Sequence, residues 1–168
     1  MSKIAVKGII DEDFVNYKLP CMTIMFPKCS FKCGKDLCQN SELAKMENIS
    51  VSMEGLVSRY LNNPITKAIC FQGLEPFDSP GVFNLIKRFR EETDDPIVIY
   101  TGYTREEARE NGWTNWLEDY RHIIVKYGRY IPGDKPHFDE VLGVNLASEN
   151  QYAVEERHGK VEMNKSIL

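Results

Sequence analysis

The chain has 168 residues and a net charge of −4, from 25 acidic and 21 basic residues. This length suits one domain whose core needs no disulfides. The mild acidity gives no reason to expect a nucleic acid or an anionic membrane as partner. We find no signal-peptide pattern after Met1 and no stretch near the ~20 apolar residues of a membrane span. We therefore expect a cytoplasmic protein.

Short apolar runs alternate with amphipathic stretches through the middle of the chain. The run at 22–26 predicts a buried strand, and apolar residues at helical spacing over 53–61 predict a helix with Ser52 as its N-cap. Asn62-Asn63-Pro64 ends that helix, and 68–71 predicts a second buried strand.

The same alternation continues toward the C-terminus. Ser79 as N-cap and Pro80 as the first helical residue predict the start of the next helix. Thr104 and Glu107 form a capping box. The other predicted elements are a strand at 97–100, a helical stripe over 113–120, a strand at 122–125 and a further short strand at 141–144.

Strands that alternate with helices predict an α/β fold built from right-handed βαβ units around a mostly parallel sheet. No internal repeat or linker divides the chain, so we expect one domain over residues 1–155. Residues 156–168 are mostly polar, and we interpret them as a loosely ordered C-terminal tail.

The five cysteines indicate a metal or catalytic site rather than disulfides. Cys29, Cys33 and Cys38 fall within ten residues, a poor arrangement for paired disulfides. Cys21 and Cys70 lie in or beside predicted strands, and we interpret them as small buried residues.

The unusual residues fall where an α/β fold places its ligand site, beyond the carboxyl ends of the strands. The segments that follow the four main predicted strands are 29–38, 72–76, 101–103 and 126–128. Because parallel strands end at one edge of a sheet, we expect these four segments to lie together there.

The three clustered thiolates are soft ligands, suited to zinc or to an iron–sulfur cluster. A four-iron cluster normally takes four thiolates, so three would leave one iron open to an external ligand. Backbone carbonyls near Gly73, or the Glu75 carboxylate, could accept hydrogen bonds from an amino group of that ligand. Thr101 offers a hydroxyl at the next strand end, and Lys126 either meets a carboxylate or is solvated.

Several motifs resemble those of the radical S-adenosylmethionine superfamily. They are Cys29-x-x-x-Cys33 with Cys38 preceded by Leu37, and a Gly73–Pro76 segment similar to the motif Gly-Gly-Glu-Pro. Segments 101–103, 128–130 and 147–151 resemble further landmarks of the anaerobic ribonucleoside-triphosphate reductase activating proteins, which are glycyl radical enzyme activases. The chain departs from the pattern in the four-residue gap before Cys38 and in Leu74, which replaces a glycine.

This resemblance implies a partial βα barrel and a set of binding residues. Cys29, Cys33 and Cys38 would hold one 4Fe-4S cluster, Leu37 and Gln39 would lie near the adenine of S-adenosylmethionine, and Gly73, Leu74 and Glu75 would contact its methionine moiety. Catalysis would need no residue beyond the cluster ligands.

The resemblance also implies a reaction and partners. The reaction would be reductive cleavage of S-adenosylmethionine to a 5′-deoxyadenosyl radical, which installs a glycyl radical on an anaerobic ribonucleotide reductase. The electron would come from a donor such as flavodoxin or ferredoxin.

Two alternatives remain open. One is a radical S-adenosylmethionine enzyme that acts on another protein or on a small molecule. The other is a non-catalytic zinc or electron-transfer module, in which Cys21 or a histidine would complete a zinc site.

Overall fold

The computed structural model describes residues 2–29 and 41–157. The strands of this part of the chain are β1 Lys3–Val6, β2 Gly8–Asp13, β3 Cys21–Phe26, β4 Ile49–Ser52, β5 Ala68–Gly73, β6 Ile97–Tyr100, β7 Ile123–Tyr127, β8 His137–Asp139, β9 Val144–Leu146 and β10 Tyr152–Glu156. The helices are α1 Ser41–Ala44, α2 Met53–Leu61, α3 Val82–Glu92, α4 Arg105–Glu110 and α5 Trp113–Leu117, with a 3-10 turn at Pro76–Asp78.

A six-stranded sheet of order β10-β7-β6-β5-β3-β2 forms the centre of the fold. Its four inner strands run parallel, whereas β2 and β10 pair antiparallel with β3 and β7 at the two borders. Two small antiparallel ribbons, β1–β4 and β8–β9, complete the described strands. The predicted α/β fold with a mostly parallel sheet is therefore confirmed, and the sheet is open rather than a closed barrel.

One face of the sheet is covered by helices, and its side chains are apolar. Phe26 and Phe71 of neighbouring strands lie with ring centroids 5.1 Å apart, and Phe71 also meets Phe89 of α3 at 6.4 Å. Helices α2 and α3 contribute their apolar stripes to the same core. The spacing of apolar residues in the sequence thus matches the faces that the helices bury.

The other face is covered by the loop at 14–20 and by the β8–β9 ribbon. Its buried side chains are smaller, with Cys21, Ala68 and Cys70 packed against residues such as Tyr17 and Leu142. The backbone N–H of Lys18 donates to the Leu142 carbonyl, which joins the loop to the ribbon. Because both faces are covered, the central strands appear in the sequence as continuous apolar runs.

Several predicted boundaries are confirmed, and others are wrong, among them the end of the helix predicted over 113–120, which is at Leu117. Helix α2 begins after Ser52, whose side chain accepts from the Gly55 N–H, and the Thr104–Glu107 capping box is present. The helix predicted to begin at Ser79-Pro80 begins later, because Ser79 caps the end of the 3-10 turn and α3 starts only after Gly81, whose φ is 88°. The strand predicted at 141–144 is also wrong, since a turn continues to Gly143 and β9 follows it.

The sequence did not predict β1, β2, β4, β8 or β10. Strand β10 continues to Glu156, one residue beyond the boundary drawn for the domain, and residues 158–168 lie outside the described part. In the residues that the structure describes, no helix is long and apolar enough to span a membrane.

Candidate functional site

The four parallel strands end along one border of the sheet, here called the carboxyl edge. In their last layer on the loop-covered face, Met25 pairs in register with Gln72, and Tyr100 pairs with Lys126. Beyond this layer lie the segments that follow β3, β5, β6 and β7. The structure therefore brings together Cys29 and the predicted segments 72–76, 101–103 and 126–128, whereas the rest of the first segment, residues 30–38, lies outside the described residues.

The segment after β3 is joined to the segment after β5 by backbone hydrogen bonds. The Leu74 N–H donates to the Phe26 carbonyl at 3.0 Å, and the Glu75 N–H donates to the Lys28 carbonyl at 2.7 Å. Cys29 follows directly and is exposed. Main-chain contacts thus hold Cys29, the first of the three clustered cysteines, beside the Gly73–Pro76 segment.

Gly73 makes this close approach possible. Its φ is 92°, a conformation that residues with a Cβ rarely adopt. A Cβ at this position would also meet the backbone of Phe26, with the carbonyl oxygen only 2.7 Å away. Glycine is therefore required here both by the backbone angle and by the neighbouring chain.

Glu75 lies at the centre of the carboxyl edge with no exposed surface. One carboxylate oxygen accepts from the Thr101 hydroxyl at 2.8 Å and from the Phe77 N–H at 3.1 Å, and the other accepts from the Gly102 N–H at 2.8 Å. The carboxylate thus links its own turn to the segment after β6. This arrangement makes the Glu75 side chain a structural link between the segments that follow β5 and β6.

Burial makes the charged state of Glu75 unfavourable. Desolvation raises the pKa of this carboxyl to about 7, although its three hydrogen bonds act in the opposite direction. Near neutral pH the group is therefore divided between its ionised and protonated forms.

Lys126 supplies a buried cation at the same edge. It is 6% exposed, and its ammonium donates to the Gly128 carbonyl at 2.9 Å and lies 5.8 Å from the centre of the Tyr100 ring. Burial lowers its pKa to about 8, while the charge of Glu75 acts to raise it. The predicted alternative of a solvated lysine is therefore wrong.

The structure describes some of the residues predicted to bind the cluster or its ligand and not others. Cys33, Leu37, Cys38 and Gln39 lie outside the described residues. Thr101 is buried, and its hydroxyl donates to Glu75 and accepts from the Tyr103 N–H. Its contact with a bound ligand stays a prediction.

The other cysteines are placed away from Cys29. Cys21 begins β3, roughly 16 Å along the strand from its carboxyl end. Burial raises the pKa of Cys21 to about 12 and also raises that of Cys70 well above its usual value, so both remain thiols. They are buried, as predicted, and Cys21 is too distant to complete a metal site with Cys29.

Two of the three histidines also make internal contacts. His122 Nδ1 hydrogen-bonds the Asp94 carbonyl, and His137 Nε2 hydrogen-bonds the Gln151 carbonyl, both at 2.7 Å. His158 lies outside the described residues. In the part of the chain with described side chains, no group of three metal-ligating residues occurs.

The site therefore belongs to an α/β protein in which Cys29, the first of three clustered cysteines, lies at the carboxyl edge of the sheet. A family model described as a 4Fe-4S single cluster domain matches residues 21–145, about three quarters of the chain. The chain is a member of this family of 4Fe-4S cluster-binding domains. Neither a curated protein nor a solved structure shows significant similarity to it.

Proposed function

We propose that the chain uses its 4Fe-4S cluster to cleave S-adenosylmethionine reductively and so starts radical chemistry on a partner protein. The observation that carries the proposal is the backbone junction between the segment that leads to Cys29 and the Gly73–Pro76 segment. This junction holds Cys29, which we propose as a ligand of the cluster, beside the turn that we propose binds the amino acid moiety. The matching family model is found in proteins of the radical S-adenosylmethionine type, which supports the same reading.

The residues present fit such a cluster. Cys29 is exposed at the carboxyl edge, whereas Cys21 and Cys70 are buried thiols with raised pKa values. We therefore propose Cys29, Cys33 and Cys38 as the ligand set, and three thiolates would leave one iron for S-adenosylmethionine. When bound, the cluster supplies the electron that breaks the sulfonium bond and yields the 5′-deoxyadenosyl radical.

The chain's own residues bind and orient the methionine moiety in this proposal. The backbone of Gly73 and Leu74, both partly exposed, accepts hydrogen bonds from the ligand's amino group. Glu75 contributes its position in the turn, because its carboxylate is already bonded to Phe77, Thr101 and Gly102. Leu37 and Gln39 would contact the adenine.

Lys126 is proposed to bind the carboxylate of the same ligand. An ammonium group carries three N–H donors, and among the described residues that of Lys126 donates one hydrogen bond, to Gly128. A buried cation with donors to spare is stabilised by an anionic ligand at the same edge. The ligand carboxylate would thus accept hydrogen bonds that the buried Lys126 ammonium can no longer donate to water.

The proposed acceptor of the radical is a backbone glycine of an anaerobic ribonucleotide reductase, with flavodoxin or ferredoxin as electron donor. A small domain has little structure with which to enclose a substrate, and a loop from another chain could reach an open edge. The strands would then curve as a partial barrel around that loop. Another protein or a small molecule as acceptor is the alternative within the same chemistry.

The test is anaerobic reconstitution with iron and sulfide, followed by dithionite, S-adenosylmethionine and chromatography of 5′-deoxyadenosine. We expect the wild type and Cys21→Ala to form deoxyadenosine and Cys33→Ala to form none. A reducible cluster in the wild type without deoxyadenosine would contradict the proposal and favour electron transfer. Zinc in place of iron in the purified protein would favour the structural alternative.

The acceptor is tested in the same reaction. Addition of a purified anaerobic ribonucleotide reductase should produce a glycyl radical signal in the electron paramagnetic resonance (EPR) spectrum. Deoxyadenosine formation without that signal would retain the radical chemistry and reject this partner.

A further inference from the structure

Lys7 lies at the corner between β1 and β2 and is almost fully buried, with 9% of its surface exposed. Its backbone N–H donates to the Met25 carbonyl at 2.6 Å, near the carboxyl end of β3. This contact lies four residues before Cys29. The backbone of Lys7 is therefore fixed to the chain that leads into residues 29–38, here called the cysteine-bearing segment.

The side chain of Lys7 reaches the chain that follows the same segment. Its ammonium donates to the Ala44 carbonyl at 3.4 Å and to the Met46 carbonyl. Ala44 ends α1, and the last carbonyls of a helix have no partners within the helix. Lys7 thus satisfies backbone groups six and eight residues after Cys38.

We infer that Lys7 is a positioning residue that holds the two ends of the cysteine-bearing segment together, through its backbone at Met25 and its ammonium at Ala44 and Met46. The β1–β4 ribbon strengthens this link, because Val6 pairs with Ile49 directly beside it. A segment whose ends are fixed loses less conformational freedom when its cysteines converge on a cluster. In this inference Lys7 acts through its contacts with the backbone on either side of residues 29–38 and is not itself a cluster ligand.

The burial of this cation supports a specific role for it. An ammonium out of water is unfavourable unless it is hydrogen-bonded or paired. Among the described residues, the salt bridges involve other cations, and Lys7 meets only carbonyl oxygens. Stabilising β1 alone would need no buried charge, since an apolar side chain could fill the same space.

The inference rests on the proposed cluster but not on cleavage of S-adenosylmethionine. The experiment measures iron release from the reconstituted protein to excess ferrozine under anaerobic conditions, together with the EPR spectrum of the reduced cluster. The variants are Lys7→Met, which keeps the apolar stem, and Lys7→Arg, which keeps a cationic donor. Lys45→Met is the matched control, because Lys45 is exposed and pairs with Glu42 in the same stretch.

We expect Lys7→Met to release iron about tenfold faster than the wild type, as is usual when a residue that orients metal ligands is lost. Its EPR spectrum should be broadened, Lys7→Arg should restore both properties, and Lys45→Met should match the wild type. A folded Lys7→Met protein with the wild-type rate and spectrum would overturn the inference.

If Lys7→Met does not fold, the rates of iron release from Lys7→Gln and Lys7→Arg are compared instead. Glutamine is polar but too short to reach both carbonyls, so Lys7→Gln should release iron faster than Lys7→Arg, and equal rates would overturn the inference. A wild type that holds no cluster would overturn both this inference and the proposed function. A wild type that holds a cluster but forms no deoxyadenosine would overturn the proposed function alone.

Discussion

The two faces of the central sheet are built from the same strands but differ in chemistry. On the helix-covered face, β5 contributes Ile69 and Phe71 to a large apolar core. On the loop-covered face, the same strand contributes Ala68, Cys70 and then Gln72. The apolar face maintains the fold, and the other face becomes more polar toward the carboxyl edge, where Lys126 lies.

This polarity is unfavourable for stability, as the two ionisable groups at the edge show. Burial shifts the pKa of Glu75 upward and that of Lys126 downward, so each charge is disfavoured in the folded protein. Groups that folding disfavours and that lie together at the carboxyl edge of an α/β sheet are typical of functional sites. The comparison thus separates residues that hold the fold from residues that we propose bind a ligand.

The largest expected difference between the faces is between Phe71 and Cys70, which are neighbours in sequence. Phe71→Ala removes a fully buried ring that packs on Phe26 and Phe89, and we expect a loss of about 3–5 kcal/mol in unfolding free energy. Cys70→Ala removes one sulfur and should cost about 1 kcal/mol. Urea unfolding of the anaerobic apo-proteins measures both values. Equal losses would show that the two faces contribute alike.

A smaller effect is expected at the backbone junction of the carboxyl edge. Gly73→Ala places a Cβ against the backbone of Phe26 at a positive φ, and we expect a loss of about 2–4 kcal/mol. Gly112→Ala is the matched control, because its φ is 80° and no atom lies within 4 Å of an added Cβ. That control should lose only the backbone penalty of about 1 kcal/mol. A Gly73→Ala protein as stable as the control would mean that the junction tolerates a side chain.

The smallest expected effect is the pH dependence contributed by Glu75. Its pKa in the folded protein is raised from 4.5 to about 7, so its contribution to stability is full below pH 4.5 and is lost as the pH rises through 7. Glu75→Gln has no group that titrates here, so its stability lacks this dependence on pH. The amide cannot accept all three hydrogen bonds, and we therefore expect the variant to be less stable than the wild type at low pH. Relative to the variant, the wild type should lose roughly 2–3 kcal/mol between pH 4.5 and 8.

Thermal or urea unfolding across that pH range checks the prediction. Glu107→Gln is a suitable control, because hydrogen bonds from Arg129 lower the pKa of Glu107 instead of raising it. Parallel profiles for the wild type and Glu75→Gln would show that Glu75 titrates as an exposed carboxyl does.

Elements with strong local signals could be predicted from the sequence. The strand at 97–100 is confirmed residue for residue, because Pro96 precedes a run of β-branched residues that is buried on both faces. The capping box of α4 is confirmed because its two side chains and two backbone groups are local.

The missed strands depend on partners far away in the sequence. Strand β1 pairs with β4 some 49 residues later, as Lys3 with Ser52, and short polar strands carry little signal of their own. Strand β2 carries Asp11 and Glu12, residue types that are depleted in strands.

The sequence predicts which segments lie together at the candidate site, but it does not predict the contacts between their side chains. Parallel strands made it possible to predict that the segments after β3, β5, β6 and β7 would lie together. The inward orientation of the Glu75 carboxylate toward Thr101 depends on tertiary packing, and nothing local to the sequence signals it. Nothing in the sequence indicates the hydrogen bonds of the Lys7 ammonium, since its partners lie 37 and 39 residues away.

The measurement that tests the central claim most directly is the EPR spectrum of the dithionite-reduced cluster before and after addition of S-adenosylmethionine. If the open iron takes this ligand beside the Gly73–Pro76 segment, the g values should change in the wild type and change less in Gly73→Ala. An unchanged wild-type spectrum at saturating S-adenosylmethionine would contradict the account, because a cluster that does not bind the cofactor cannot cleave it.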